Sequence, residues 1–150
     1  MGIRKKHILG IFWGLCGINL MACPGTLHNI NTGDNSEFEI IELTPTCELA
    51  DIGTPYSLGV NFGVSIAVKA LNDTSDAQRR KIFLTVKSTS GQHLYSGNVP
   101  VYVPANNTGP LRSYMKQTSQ ITKEENKSEV TLIFSASADN SMSEQCTVSH

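Results

Sequence analysis

The stretch that decides the fold is Y-S-L-G-V-N-F-G-V-S-I-A-V, residues 56–68. Its even-numbered positions are all large and apolar, and its odd-numbered positions are all small or polar. Successive side chains of a β-strand point to opposite faces, so this pattern predicts a long strand with one buried face. We expect Phe62 and Ile66 to be buried and Asn61 and Ser65 to face solvent. A strand of this length needs a second sheet over its apolar face.

Shorter segments with apolar and polar residues in alternation surround this strand. They predict strands at residues 37–44, 81–88, 92–96, 99–103, 113–122 and 129–138. Pro45 is expected to end the first strand, and residues 47–55, 72–80 and 139–144 are expected to be connections. A helix over residues 111–125 is the alternative near the sixth strand, because Lys, Gln and Glu are good helix formers. Gly59 and Gly63 predict a bulge, a kink or the close approach of another backbone.

Strands at short spacing, turn signals between them and no long segment of helical period predict an all-β fold. We expect an antiparallel β-sandwich of about seven strands, immunoglobulin-like or transthyretin-like, with one disulfide. The Cys-Trp-Cys spacing of antibody domains is missing, because the single tryptophan is Trp13. A small β-barrel is the alternative architecture.

The composition favours an extracytoplasmic domain. Charged residues make up 17% of the 150 residues, below the usual quarter, and Ser, Thr, Asn and Gly recur throughout. This length allows one domain of residues 37–150 and an N-terminal targeting segment.

Residues 1–22 have the organisation of a signal peptide. A basic segment of Arg4, Lys5, Lys6 and His7 precedes an apolar run over residues 8–20. The run is shorter than the roughly 20 residues of an ordinary membrane span. An uncleaved anchor helix is the alternative interpretation.

The end of this segment reads Leu20-Met21-Ala22-Cys23 and resembles the lipobox of bacterial lipoproteins. Met21 departs from the Ala, Ser, Thr or Val usual at its position. The resemblance implies that Cys23 is lipidated and becomes the mature N-terminus. Pro24, where an Asp would imply retention in the inner membrane, implies the outer membrane. Residues 23–36 then form a lipidated, flexible tether, with an ordinary disordered N-terminus as the alternative.

Cysteine parity supports the same interpretation. Cys16 lies in the apolar run and is expected to leave with the signal peptide. With Cys23 lipidated, Cys47 and Cys146 remain as one pair, and we expect them to form a disulfide. A metal site is the alternative, but the cysteines lack CxxC spacing and no histidine pair lies nearby.

Motifs for catalysis or cofactor binding are missing from the sequence. His28, His93 and His150 form no HxxxH or HxH pair, and there is neither a G-x-S-x-G elbow nor a glycine-rich phosphate loop. We therefore predict that the protein is not an enzyme and that it uses no cofactor or metal.

The charge balance bears on partners. The expected mature chain lacks the three basic residues Arg4, Lys5 and Lys6 of the signal peptide. It therefore has nine basic and 13 acidic residues and a net charge near −4. Such a balance argues against nucleic acid or anionic lipid as the main partner.

These features predict a lipoprotein anchored in the outer membrane that acts as a structural or protein-docking module of a cell-envelope assembly. Its partners are then envelope proteins, with the sheet edges or the surface around Tyr95 and Tyr102 as the candidate binding face. The alternative is a secreted or surface effector, such as an inhibitor, that binds an external protein.

Overall fold

A computed structural model describes residues 37–123 and 127–149. The expected signal peptide, Cys23 and the expected tether all lie outside these residues. The described chain forms two antiparallel β-sheets and one disulfide between Cys47 and Cys146. The prediction of an all-β sandwich is confirmed.

Seven strands make up the two sheets. Their bounds are β1 (Phe38–Thr54), β2 (Ser57–Ala70), β3 (Gln78–Ser88), β4 (His93–Val103), β5 (Pro110–Thr122), β6 (Glu129–Ser137) and β7 (Ser141–Ser149). One sheet has the order β1-β2-β5, and the other has the order β4-β3-β6-β7. This grouping follows the immunoglobulin fold, except that the fourth strand pairs with the third strand instead of joining the sheet of the first two.

The predicted organising strand is β2, the middle strand of the three-stranded sheet. Phe62 and Ile66 are buried as expected, while Asn61 and Ser65 on the other face are half-buried. The strand begins at Ser57, one residue later than expected. Tyr56 lies in the tight β1–β2 turn and is 84% exposed, so the expectation that it shares the buried face is wrong.

Gly59 and Gly63 allow the neighbouring strands to approach the outer face of β2. A Cβ atom at Gly59 would lie 2.7 Å from the carbonyl oxygen of Ala50, and one at Gly63 would lie 3.1 Å from that of Met115. Of the three predicted explanations, the close approach of another backbone therefore holds for both glycines, and at Gly59 the pairing of β1 is also irregular between Ala50 and Thr54.

Strand β1 continues ten residues past its expected end. Pro45 lies within it, opposite Val64, and the predicted connection at residues 47–55 mostly belongs to the strand. Because β1 is at an edge, only one side of its backbone pairs with another strand, and a proline without an N–H group is tolerated there.

Other predicted boundaries also need correction. The segments at residues 92–96 and 99–103 form one edge strand, β4, and β3 begins inside the predicted connection at 72–80. The segment at 113–122 belongs to strand β5, so the helical alternative is wrong. The predicted connection at 139–144 contains the start of β7, a strand that lacks strong apolar alternation.

Side chains from both sheets meet in one core. Phe62 of β2 packs edge-on against Phe134 of β6, with the ring centroids 6.0 Å apart and the planes at 74°. Around this pair lie aliphatic side chains of the two central strands of the larger sheet, namely Ile82, Leu84, Val86, Leu132 and Ala136. The pair therefore joins the two sheets at their centre.

The edge strands of the two sheets lie side by side in two pairs, β1 with β7 and β4 with β5, which we call the two seams. Side chains connect the sheets along both seams. Along the β1–β7 seam, Cys47 bonds Cys146 with their Cα atoms 6.2 Å apart, and the Asn140 amide bonds the backbone of Ile40. In the second of these contacts, Asn140 accepts from the Ile40 N–H at 2.8 Å and donates to its carbonyl at 2.9 Å. Along the β4–β5 seam, the Ser113 hydroxyl donates to the Pro100 carbonyl at 3.1 Å.

Truncating the central aromatic pair is expected to destabilise the domain strongly. Phe62→Ala should lower the free energy of unfolding by about 3–5 kcal/mol, because a large buried side chain leaves a cavity. Asn61→Ala is the control on the opposite face, where the half-buried side chain accepts a hydrogen bond from Thr118. Thermal and urea unfolding measure both variants, and similar losses at the two positions would contradict the one-sided burial of β2.

Removing the disulfide is expected to destabilise the domain as well. The two cysteines are 99 residues apart, and a loop of that length corresponds to about 4–5 kcal/mol in the chain-entropy model. Mass spectrometry of non-reduced peptides should show Cys47 linked to Cys146. Cys47→Ala/Cys146→Ala should unfold at lower denaturant concentration than the oxidised protein, and equal midpoints would argue against a stabilising bridge.

Candidate binding surface

The two tyrosines predicted to mark a binding surface lie on opposite sides of β4. Tyr102 is 63% exposed on the outer face, opposite Arg79 of β3. Tyr95 lies opposite Val86, is half-buried and packs against the core. The structure therefore places only Tyr102 on an open surface.

Their spacing along the strand separates these two side chains. The pairing from Val86 with Tyr95 to Arg79 with Tyr102 is continuous, and the register shift at Leu94 precedes both tyrosines. Residues an odd number of positions apart in a continuous strand point to opposite faces. The alternation in the sequence therefore already places Tyr95 and Tyr102 on opposite faces, and the grouping of the two as one surface overlooks it.

The outer face of the four-stranded sheet carries a row of cations around one aromatic ring. Four exposed residues on β3 point outward at two- or four-residue intervals: Arg79, Lys81, Phe83 and Lys87. We call this row, together with Tyr102, the basic face. Sequence reasoning misses it because Arg79 falls in a predicted connection and Phe83 at an ordinary strand position.

Phe83 is 47% exposed although it lies in the middle of the sheet. Its neighbours across the two adjacent strands are Asn98 on β4 and Ser137 on β6, both exposed and both short. Neither is long enough to cover an aromatic ring. The ring therefore presents apolar surface to solvent at the centre of the basic face.

The three cations of the basic face have no ion pair with any residue in the described ranges. Within the described part of the chain, the ion pairs are Lys69–Glu37, Arg80–Asp139 and Arg112–Glu42. Arg80 also belongs to β3, but it stacks over the Phe38 ring on the core side. Within residues 37–123 and 127–149, the positive charge of Arg79, Lys81 and Lys87 is therefore left without a paired carboxylate.

The outer face of the three-stranded sheet differs in its charge. Arg112 of β5 lies 2.6 Å from Glu42 of β1, and this hydrogen bond is the main cause that lowers the pKa of the Glu42 carboxyl. Lys69 pairs with Glu37, whose hydrogen bond raises the pKa of the Lys69 ammonium. Two cation–carboxylate pairs thus form on this sheet, in contrast to the basic face.

Two further features lie on the β1–β2–β5 sheet. An open groove of about 190 Å³ is lined by Glu48, Asn61, Gly63, Tyr114 and Lys116, among others. At the turn between β1 and β2, Leu49, Ile52 and Tyr56 are exposed. The groove is shallow and polar, whereas the turn is apolar.

Side chains of the types that bind metals or act in catalysis do not form a cluster in the described part of the chain. His93 is exposed at the start of β4, and residues 37–123 and 127–149 contain no group of three His, Cys, Asp or Glu side chains arranged to hold a metal ion. The same ranges also contain no helix of the length and apolarity that a membrane span requires.

Comparison with known proteins gives little to add to this description. No protein-family model matches the chain, and no curated protein matches it. One solved structure, "X-ray structure of Northeast Structural Genomics Consortium target SoR45", is 12% identical over 78% of this chain and 89% of that chain, with a TM-score of 0.30. At that TM-score the similarity supports no argument about this protein.

Proposed function

We propose that this chain is a lipoprotein of the outer membrane that docks a protein partner in a cell-envelope assembly. Its chemistry is binding rather than catalysis. The observation that carries the proposal is the exposure of large apolar side chains on the outer surfaces of the sandwich. Tyr102 on one sheet and Tyr114 on the other are each more than 60% exposed, at 63% and 62%.

The exposed side chains are of the type that interfaces use. Tyr and Phe are enriched in protein interfaces, where an aromatic ring contributes a large contact area at low entropic cost. In contrast, the sandwich core is filled by its own side chains, among them the Phe62–Phe134 pair. A partner would therefore contact the outside of this domain.

The anchor is supported by the cysteines. Cys47 and Cys146 are bonded to each other, so among the cysteines after the signal peptide Cys23 is left for the lipid. The lipobox resemblance at residues 20–23 implies that modification. A disulfide also fits an extracytoplasmic location, because such bonds persist in oxidising compartments.

Cys23→Ser is expected to abolish acylation and to release the protein into a soluble fraction. Radioactive palmitate labelling and membrane fractionation measure the two effects. Cys16→Ser is the matched control, because that residue leaves with the signal peptide and its loss should preserve labelling. Unlabelled wild-type protein recovered from the culture medium would instead favour the secreted effector.

Docking is expected to leave cross-links at the exposed aromatic positions. A photo-cross-linking amino acid placed at Tyr56, Tyr102 or Tyr114 should yield a discrete protein adduct in intact cells at one or more of these positions. The exposed polar residue Thr108 is the control position and should yield none. Absence of an adduct at all three aromatic positions, with the protein folded and located in the envelope, would refute the docking function.

A further inference from the structure

We propose that the basic face binds an acidic segment of a partner protein, in which carboxylates flank one apolar side chain. This inference rests on the proposed docking function and specifies the surface and the partner chemistry. The occupant is an extended polypeptide that lies along β3, with its carboxylates on Arg79, Lys81 and Lys87 and its apolar side chain on Phe83.

Charge segregation between strands is the first argument. Strand β3 contains four basic residues and no acidic one, whereas β1 contains four acidic residues and no basic one. The β1 sheet includes cations that pair with its acids, such as Arg112 with Glu42. The strand neighbours at the four positions of the row include no carboxylate; they are Tyr102, Pro100, Asn98 and His93 on β4 and Ser137 and Ile133 on β6.

The described carboxylates close to the ends of β3 and β6 lie at the margins of the basic face. Asp76 precedes β3, Asp139 follows β6 and is engaged by Arg80, and Glu129 is at the opposite end of β6 beside Ser149. None of them forms an ion pair with Arg79, Lys81 or Lys87. Like charges on one strand face repel one another, and carboxylates supplied by a partner would relieve that repulsion.

The aromatic ring is the second argument. A surface that attracts only charge needs no exposed ring, yet Phe83 lies between Lys81 and Lys87 and is half exposed. An apolar group of a partner that covers this ring would remove apolar surface from water. A central apolar anchor with polar residues around it is the usual anatomy of a protein interface.

The spacing of the row fits an extended chain. Residues two apart on a strand face are about 6.6–7 Å apart, and an extended partner has the same repeat. Arg79 and Lys81 match two acidic residues at such spacing, Phe83 matches an apolar residue two positions further, and Lys87 matches a third acidic residue. The expected ligand pattern is E-x-E-x-φ-x-x-x-E, in which φ is apolar, or its reverse.

The outer face of the four-stranded sheet, of which the basic face is the β3–β4 part, is large enough for such contact. Eleven residues of β3 extend about 36 Å, and four strands are about 14–19 Å wide. The resulting surface of roughly 500–700 Å² is close to one partner's share of a small to standard interface.

A polypeptide fits this surface better than a nucleic acid, a polyphosphate or an anionic membrane. The chain after the signal peptide has a net charge near −4, with nine basic and 13 acidic residues, so a long polyanion would be repelled by the rest of the protein. A short acidic segment would contact the cations of one strand. The exposed Phe83 ring, moreover, has an apolar counterpart in a polypeptide and none in a polyphosphate chain.

The test uses the whole chain, purified in detergent, and labelled synthetic peptides. The probes are E-S-E-S-F-S-S-S-E and its reverse, with E-E-E-S-S-S-S-S-F as a control of the same composition. Fluorescence anisotropy should show saturable binding of at least one patterned peptide and weaker binding of the control. The binding should weaken as salt is raised, because exposed ion pairs are screened.

Matched variants locate the contact. Lys81→Glu/Lys87→Glu is expected to weaken peptide binding by about tenfold or more, since two attractions become repulsions. The control variant Lys116→Glu/Lys123→Glu changes the net charge by the same amount, at exposed positions outside the basic face. It is expected to weaken binding less than about twofold, because salt screens charges that are distant from the peptide. Phe83→Ala should also weaken binding, whereas Tyr114→Ala should not. Thermal unfolding establishes that each variant is folded.

Three results would overturn the proposal. The first is equal binding of the patterned and control peptides, or an equal loss in the two charge-reversal variants, which would indicate attraction by net charge alone. The second is binding of inorganic polyphosphate or phosphatidylglycerol vesicles, but not of the peptides, through Lys81 and Lys87. The third is the absence of peptide binding. If cross-links then form at Tyr56 or Tyr114 in cells, the docking function stands and only its assignment to the basic face fails.

Discussion

The edges of the two sheets impose the constraint on which the rest of the structure depends. Every edge strand of a sandwich has a row of backbone N–H and C=O groups without a strand partner. Here β1 lies beside β7 and β4 lies beside β5, so the edges face one another in pairs. The Asn140 amide bonds the backbone of Ile40 as a strand partner would, and the bond between Cys47 and Cys146 fixes the same seam covalently.

Closing the seams determines what kind of surface is left for a partner. Contact through added strands requires an edge with free backbone groups. Contact through a sheet face requires outward side chains, and β3 has them. Phe83–Ser88 of β3 are paired with β6, whereas Arg79 and Lys81 lie in the part of the strand that is paired with β4 alone. The basic face therefore extends from the centre of the sheet toward one end of the β3–β4 pair.

The sequence indicates the architecture well where strands are central and less well where they are at edges. Alternation in β2, β3 and β6 is strong because one face is sealed by the other sheet. The sequence does not predict strand β7, because Ser141–Ser149 buries little apolar surface. The apolar residues at its inward positions are Met142, Cys146 and Val148. Of the two tyrosines of the candidate surface, Tyr102 is exposed and Tyr95 packs against the core. Their odd spacing in the continuous register of β4 accounts for this difference, and the local alternation of the sequence contains that information. The exposure of Phe83 is different, because it depends on the short side chains of Asn98 and Ser137 on neighbouring strands, which no local pattern shows.

The position of the disulfide has a mechanical consequence. The described domain begins at Glu37, so a pull applied there is transmitted along β1, parallel to the strand, and loads its hydrogen bonds to β2 in shear. At Cys47 the load divides, because the covalent bond passes part of it directly to β7. The distal part of β1 and the turn at Tyr56 lie beyond this junction. They are shielded from the tension, and the rest of the sandwich resists it as one covalently fastened unit.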